Sequence, residues 1–149
     1  YVFGKTDFKL SHFSFVDEVF YINRVPEDLI IDHAFECVGG KGSQSAVDQI
    51  INLISPEGSI ALLGVSEYPI EVNTRLVLEK GITMIGSSRS GAQDFKDIAE
   101  FYRTYPDVIE KLSLLKGQEF EVRTINDAVD AFESDLSTSW GKTVIKWVM

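Results

Sequence analysis

The sequence predicts an α/β fold built on a doubly wound, Rossmann-like parallel sheet, and three observations predict it. Strand-length apolar runs alternate with helix-period stretches from residue 29 to residue 105, the pattern of βαβ units with right-handed crossovers. The run from Ser59 to Val65 is apolar almost throughout, as expected of a strand covered on both faces. The expected strand ends carry glycine or another small residue, and it is outside such ends that open parallel sheets bind ligands.

Taken in order, Val2 and Phe3 read as the end of a strand, the segment Asp7 to Phe15 as a short helix or turn, and Val19 to Ile22 as a second short strand closed before Pro26. Leu29 to Val38 is β-rich and reads as a central strand ending at Gly39-Gly40. Gly42-Ser43 offers a helix start, after which Ala46, Val47, Ile50, Ile51 and Ile54 make an amphipathic stripe, with Pro56-Glu57-Gly58 ending it. Asn73 to Lys80 fits two helical turns stopped by Gly81, and Ile82 to Gly86 a further buried strand. Ala92 to Tyr105 and Val108 to Leu115 read as helices, Glu119 to Thr124 as a strand, Ile125 to Leu136 as a helix and Lys142 to Val148 as a last strand. We expect residues 1–115 to be a nucleotide-binding region, incomplete at its start, and 116–149 a segment returning toward a catalytic domain.

Composition excludes several classes. The formal charge of −9 argues against a nucleic-acid backbone or an anionic membrane as partner. No apolar stretch approaches the ~20 residues that span a bilayer, and no signal segment opens the chain, so a cytoplasmic location is expected. Cys37 has no second cysteine to pair with, and with only His12 and His33 beside it the chain is poor material for a zinc site of its own. The first residue is Tyr1, and Tyr1-Val2-Phe3 reads as the end of a buried strand; the expectation is that the beginning is missing.

Four strand ends are candidate ligand sites: Gly4-Lys5-Thr6, Cys37-Val38-Gly39-Gly40, Leu63-Gly64-Val65-Ser66 and Gly86-Ser87-Ser88-Arg89. Small residues there let a flat ligand or a phosphate approach the backbone. The chain has no G-x-G-x-x-G, which a complete dinucleotide fold places one strand earlier. The second strand of that fold selects the cofactor, and its tip here has no carboxylate before Asp7 and has Lys5 and Lys9 close by. NADP(H) is therefore expected over NAD(H). With the first strand missing, a gap is expected between the strands ending at Gly4 and Gly39, so that either the complete protein is longer or the strand from Leu29 to Val38 pairs with something else, such as another copy.

The order Asp32-x-x-Phe35-Glu36-Cys37-Val38-Gly39, Pro56-Glu57-Gly58-Ser59-Ile60-Ala61-Leu62-Leu63-Gly64-Val65 and Ile82-Thr83-Met84-Ile85-Gly86-Ser87 resembles the medium-chain zinc-dependent alcohol dehydrogenases. The tail from Ile125 to Phe132, followed by Gly141-Lys142-Thr143-Val144-Ile145, is similar too. Within that family, Gly64 to Pro69 and Gly86 to Gly91 look closest to the ribulose-5-phosphate reductases, which make ribitol 5-phosphate for teichoic acid or capsule synthesis. The resemblance implies NADPH as donor, a sugar phosphate as substrate, and a zinc that belongs to the complete protein and is not bound by this chain. It also implies that Cys37, Val38, Gly39, Leu63, Gly64 and Val65 line the nicotinamide and its ribose, that Ser87, Ser88 and Arg89 close over it, and that copies form a homodimer by pairing Ile82 to Ser87. No catalytic residue is placed on this chain by the resemblance.

Plainer readings stand beside these. Lys5 and Lys9 also suit solvated positions on a surface helix, Cys37 a small buried hydrophobe, Arg89 a water-facing loop, and His12 and His33 structural roles. Two other functions compete. A non-catalytic nucleotide-binding or dimerisation module would show strand-mediated association, and a Rossmann-like methyltransferase would want an acidic tip where Gly4-Lys5-Thr6 stands.

Overall fold

In the computed structural model, which describes residues 1–138 and 140–148, the strands and helices alternate as β1 (Val2–Gly4), α1 (Asp7–Leu10), β2 (Val19–Tyr21), β3 (Ile31–Glu36), α2 (Ser43–Leu53), β4 (Ile54–Leu62), α3 (Thr74–Lys80), β5 (Thr83–Gly86), α4 (Ala92–Thr104), α5 (Pro106–Ser113), β6 (Lys116–Val122), α6 (Ile125–Ser137) and β7 (Lys142–Trp147). All ladders among the described residues are parallel, in three sheets: β1 with β2, β3–β4–β5, and β6 with β7. Two compact units result, one of Tyr1–Arg24 with Ala92–Met149 and the other of Val25–Gly91. Helices between parallel strands make this the expected Rossmann-like α/β architecture. Among the described residues no ladder joins the β1–β2 pair to β3, which pairs only with β4.

The unit Val25–Gly91 is organised by one apolar face. Alternation along the strands sends Ala34, Ile60 and Met84, which are register partners, to the side on which Val47 and Ile51 of α2 pack. Val47, Ile51, Ile54 and Ile60 are all essentially buried, each contributing about 1.5–3 kcal/mol by leaving water. Helix α3 starts where Asn73 Oδ1 accepts the Leu76 N–H at 3.1 Å and ends where Gly81 takes the left-handed conformation (φ 64°).

Two polar side chains tie this unit together. Lys80 Nζ, at the end of α3, donates to the carbonyls of Ile51 (2.8 Å), Asn52 (2.9 Å) and Ile54 (2.8 Å). These oxygens lie at the end of α2, where carbonyls lack helical partners and carry the negative end of the helix dipole. Gln44, in the first turn of α2, donates to the Glu71 carbonyl at 2.8 Å and accepts its N–H at 2.7 Å, fastening the loop before α3.

In the other unit α6 opens with a capping box. Asp127 Oδ2 accepts the N–H groups of Arg123 and Thr124, both at 2.9 Å, while Thr124 Oγ1 accepts the Asp127 N–H at 3.3 Å. Val122 of β6 and Ala131 of α6 are fully buried.

Several boundaries fall a few residues from expectation, β3 and β6 among them, and two departures have a clear physical reason. Strand β4 begins at Ile54 and runs through Pro56-Glu57-Gly58, which the sequence marks as a break. A bulge absorbs the break: β4 advances from Ile54 to Ser59 while β3 advances only from Ile31 to His33, and Glu57 takes a positive φ of 63°. Helix α2 begins without a side-chain cap, because Gly42 occupies the capping position after a single tight turn at Gly40–Gly42.

Candidate functional site

Because β3, β4 and β5 are parallel, their carboxyl ends share one edge, and Glu36, Leu62 and Gly86 form the last row of register partners. Beyond that row the backbone knits the three tips together. The N–H of Leu63 donates to the Glu36 carbonyl at 2.9 Å, that of Ser87 to the Leu62 carbonyl at 3.1 Å, and that of Gly40 to the Val65 carbonyl at 2.8 Å. An open groove of about 410 Å³ lies there, lined by residues 62–65 and 86–89.

Under the groove wall sits a buried acid. Glu36 is only 2% exposed, and a carboxylate so placed needs compensation. It receives three backbone N–H bonds, from Val38 (2.9 Å) and Gly39 (3.2 Å) to Oε1 and from Gly64 (3.1 Å) to Oε2. Hydrogen bonds to an ionised acceptor are about twice as strong as neutral ones, so these three hold the β3 and β4 tips in one arrangement. Glycine is required at 64, since a Cβ there would overlap Glu36 Oε2 and stand 2.5 Å from Gly39 N. Gly39 is required for its backbone, with φ 66°.

The structure brings Cys37, Val38, Gly39, Leu63, Gly64, Val65, Ser87, Ser88 and Arg89 to this common edge, and puts residues 63–65 and 87–89 on the groove itself. Val38 and Val65 are exposed, as are Ser87, Ser88 and Arg89, and Arg89 has a left-handed backbone (φ 67°). Cys37 is at the surface too, but partial burial of its thiol, and then the neighbouring Glu36 charge, push its pKa up.

Gly4, Lys5, Thr6 and Lys9 belong to the other unit, at the end of β1. There Thr6 caps α1 by accepting the Lys9 N–H at 3.4 Å, and Leu10 packs where a side chain on Gly4 would go. Lys5 and Lys9 are exposed. His33 lies upstream on β3, with Nδ1 2.7 Å from Ser59 Oγ, and His12 stacks on Trp140 at 4.2 Å.

Sequence reasoning gave no role to Glu36, Gln44 or Lys80. The first left a trace, an acid closing an apolar strand immediately before a glycine turn; the other two left none, being ordinary polar positions on helices. Among the described residues, no three His, Cys, Asp or Glu residues stand together as a metal site, and no helix is long and apolar enough to cross a membrane.

Comparison with known proteins adds three relationships and a family. The family described as zinc-binding dehydrogenase matches residues 17–104. Ribulose-5-phosphate reductase 1 of Staphylococcus aureus is 74% identical over 149 residues, all of this chain and 44% of the relative. Ribulose-5-phosphate reductase of Bacillus spizizenii is 59% identical over 147 residues, 99% of this chain and 43% of the relative. The crystal structure of S. aureus TarJ in complex with NADPH, 74% identical, superimposes with a TM-score of 0.97 over 99% of this chain and 47% of that one. The chain thus spans less than half the length of the relatives it matches.

Proposed function

We propose, from the premise that this chain belongs to the zinc-binding dehydrogenase family, that it forms the cofactor-binding part of an NADPH-dependent reductase of a ketose phosphate, ribulose 5-phosphate to ribitol 5-phosphate. The observation that carries the reading is the open groove at the carboxyl ends of β4 and β5, with glycine backbone on its wall, where parallel α/β sheets bind nucleotides. The identity of 74% to a ribulose-5-phosphate reductase supports the substrate class.

NADPH, when bound, supplies the hydride. The chain's own residues bind and orient it. In this reading the backbone of Cys37, Val38, Gly39, Leu63, Gly64 and Val65 lines the nicotinamide and its ribose, and Ser87, Ser88 and Arg89 close over the nicotinamide end. Independently, Gly4, Lys5, Thr6 and Lys9 are assigned to the adenosine 2′-phosphate, because the tip of β1 offers lysines before any carboxylate but Asp7. No zinc ligand set is assigned to this chain, and the zinc belongs in this reading to the complete protein. Residues 1–115 serve as the nucleotide-binding region and 116–149 as the return toward a catalytic domain.

The same reading includes a homodimer. Strand β5 is the outermost of its ladder, and pairing of Ile82 to Ser87 with a second copy would cover that edge. A cytoplasmic location follows from the substrates, and the link to teichoic acid or capsule synthesis rests on the resemblance alone.

The test is calorimetric titration of the chain with NADPH and NADH, alongside a chimera in which it replaces the matched segment of the S. aureus reductase. Preferential NADPH binding, with NADPH-dependent reduction of ribulose 5-phosphate by the chimera, is the expected result. An absence of nucleotide binding in both overturns the reading and leaves an interaction module as the better account.

A further inference from the structure

Free backbone amides in a loop after a strand can cradle phosphate. Here those of Val38, Gly39 and Gly64 are all turned onto one buried carboxylate. Both Glu36 oxygens act only as acceptors in these bonds. Among the described residues no lysine, arginine or histidine pairs with it. Gly64, which bonds Glu36 through its N–H, is itself part of the groove wall, so an uncancelled negative charge lies immediately behind the surface a ligand would touch.

We infer that Glu36 is a positioning residue that gives this groove a charge preference: it disfavours phosphate and favours the oxidised, cationic nicotinamide ring over the reduced, neutral one. The inference rests on the cofactor-binding reading above and adds to it a reason for an acid in an otherwise apolar strand. A neutral glutamine could hold the same shape, but its NH₂ would face an amide donor and the charge would be gone. The neighbouring Cys37 thiol is pushed up first by its partial burial and then by this same charge. Were the ring held against this wall, the fixed carboxylate would, without touching it, favour the form that carries positive charge.

The experiment compares the parent chain with Glu36→Gln and Glu36→Asp by titration with 2′,5′-ADP, NADPH and NADP+. 2′,5′-ADP carries no nicotinamide, so its affinity is expected to stay at the parent value, and the far-UV circular dichroism of each variant reports whether the fold is intact. Glu36→Gln is expected to weaken NADP+ relative to NADPH on the order of tenfold, the size of effect a unit charge exerts at an effective dielectric of about 20. Glu36→Asp keeps the charge and is expected to keep the parent ratio while binding both forms more weakly. A Glu36→Gln variant that binds all three ligands with the parent's ratio overturns the inference and leaves the cofactor reading standing. A parent that binds none of them overturns the reading, and the inference with it. Independently of any variant, the amide resonances of Val38, Gly39 and Gly64 in the parent should stay in place when inorganic phosphate is added, and their movement would overturn the exclusion of phosphate.

Discussion

The N–H of Gly64 is shared between two acceptors on one residue, the carbonyl of Glu36 at 2.8 Å and its carboxylate Oε2 at 3.1 Å. A single glycine on β4's tip is thereby locked to both the backbone and the side chain of the last residue of β3. The space that permits this is the space a side chain would fill.

Substituting Gly64→Ala should therefore be costly despite adding one methyl group. The new Cβ would meet main-chain and carboxylate atoms rather than the flexible end of a side chain, and forced overpacking of this kind costs about 1–3 kcal/mol. Urea unfolding should show a lower midpoint with an unchanged slope. A variant as stable as the parent would show that the tip yields freely.

Lys80→Met keeps the aliphatic stem and removes the ammonium that serves the carbonyls of Ile51, Asn52 and Ile54. We expect a loss of about 1–3 kcal/mol, the cost of leaving partly buried acceptors unmade. Amide exchange should accelerate first in the last turn of α2. Equal acceleration throughout Val25–Gly91 would mean the lysine acts globally and not as a cap.

The Cys37 thiol is raised by partial burial and then by Glu36, so at neutral pH less of it is thiolate than in an unperturbed cysteine. Its reaction with a disulfide reagent should be slower than that of a small thiol at pH 7, with the midpoint of the rate against pH shifted upward. Glu36→Gln should speed it. A Cys37 that reacts as fast as free cysteine contradicts both causes.

Asp127 is held below the usual aspartate range, first by the N–H of Arg123 and then by that of Thr124. A carboxyl depressed in the folded state stabilises it at pH above the ordinary range and loses that contribution as pH falls through the depressed value. Thus stability should decline at acid pH, and Asp127→Asn should flatten this decline. A carbon-detected titration should place the Asp127 midpoint below that of an unstructured aspartate, and a midpoint at the ordinary value would count against the capping box.

The alternation of strands and helices was legible because periodicity needs only neighbouring residues: the stripe Val47, Ile50, Ile51 and the run Ile60 to Leu62 are local patterns that tertiary packing then used. Asn73 and Gly81 bracket α3 for equally local reasons. The start of β4 was not legible. Pro56-Glu57-Gly58 has the composition of a turn, and only the bulge against β3 lets the strand pass through it.

The sequence by itself determined the parallel α/β class, the glycine-bearing strand ends and the set of residues gathered at the β3–β5 edge, since each follows from side-chain pattern along the chain. Only the tertiary structure decided what Glu36 and Lys80 do. The partner that ties Glu36 to β4, Gly64, lies 28 residues away, beside the local Val38 and Gly39, and those of Lys80 lie 26 to 29 residues away at Ile51, Asn52 and Ile54; all are backbone groups, which every residue carries and no sequence pattern distinguishes.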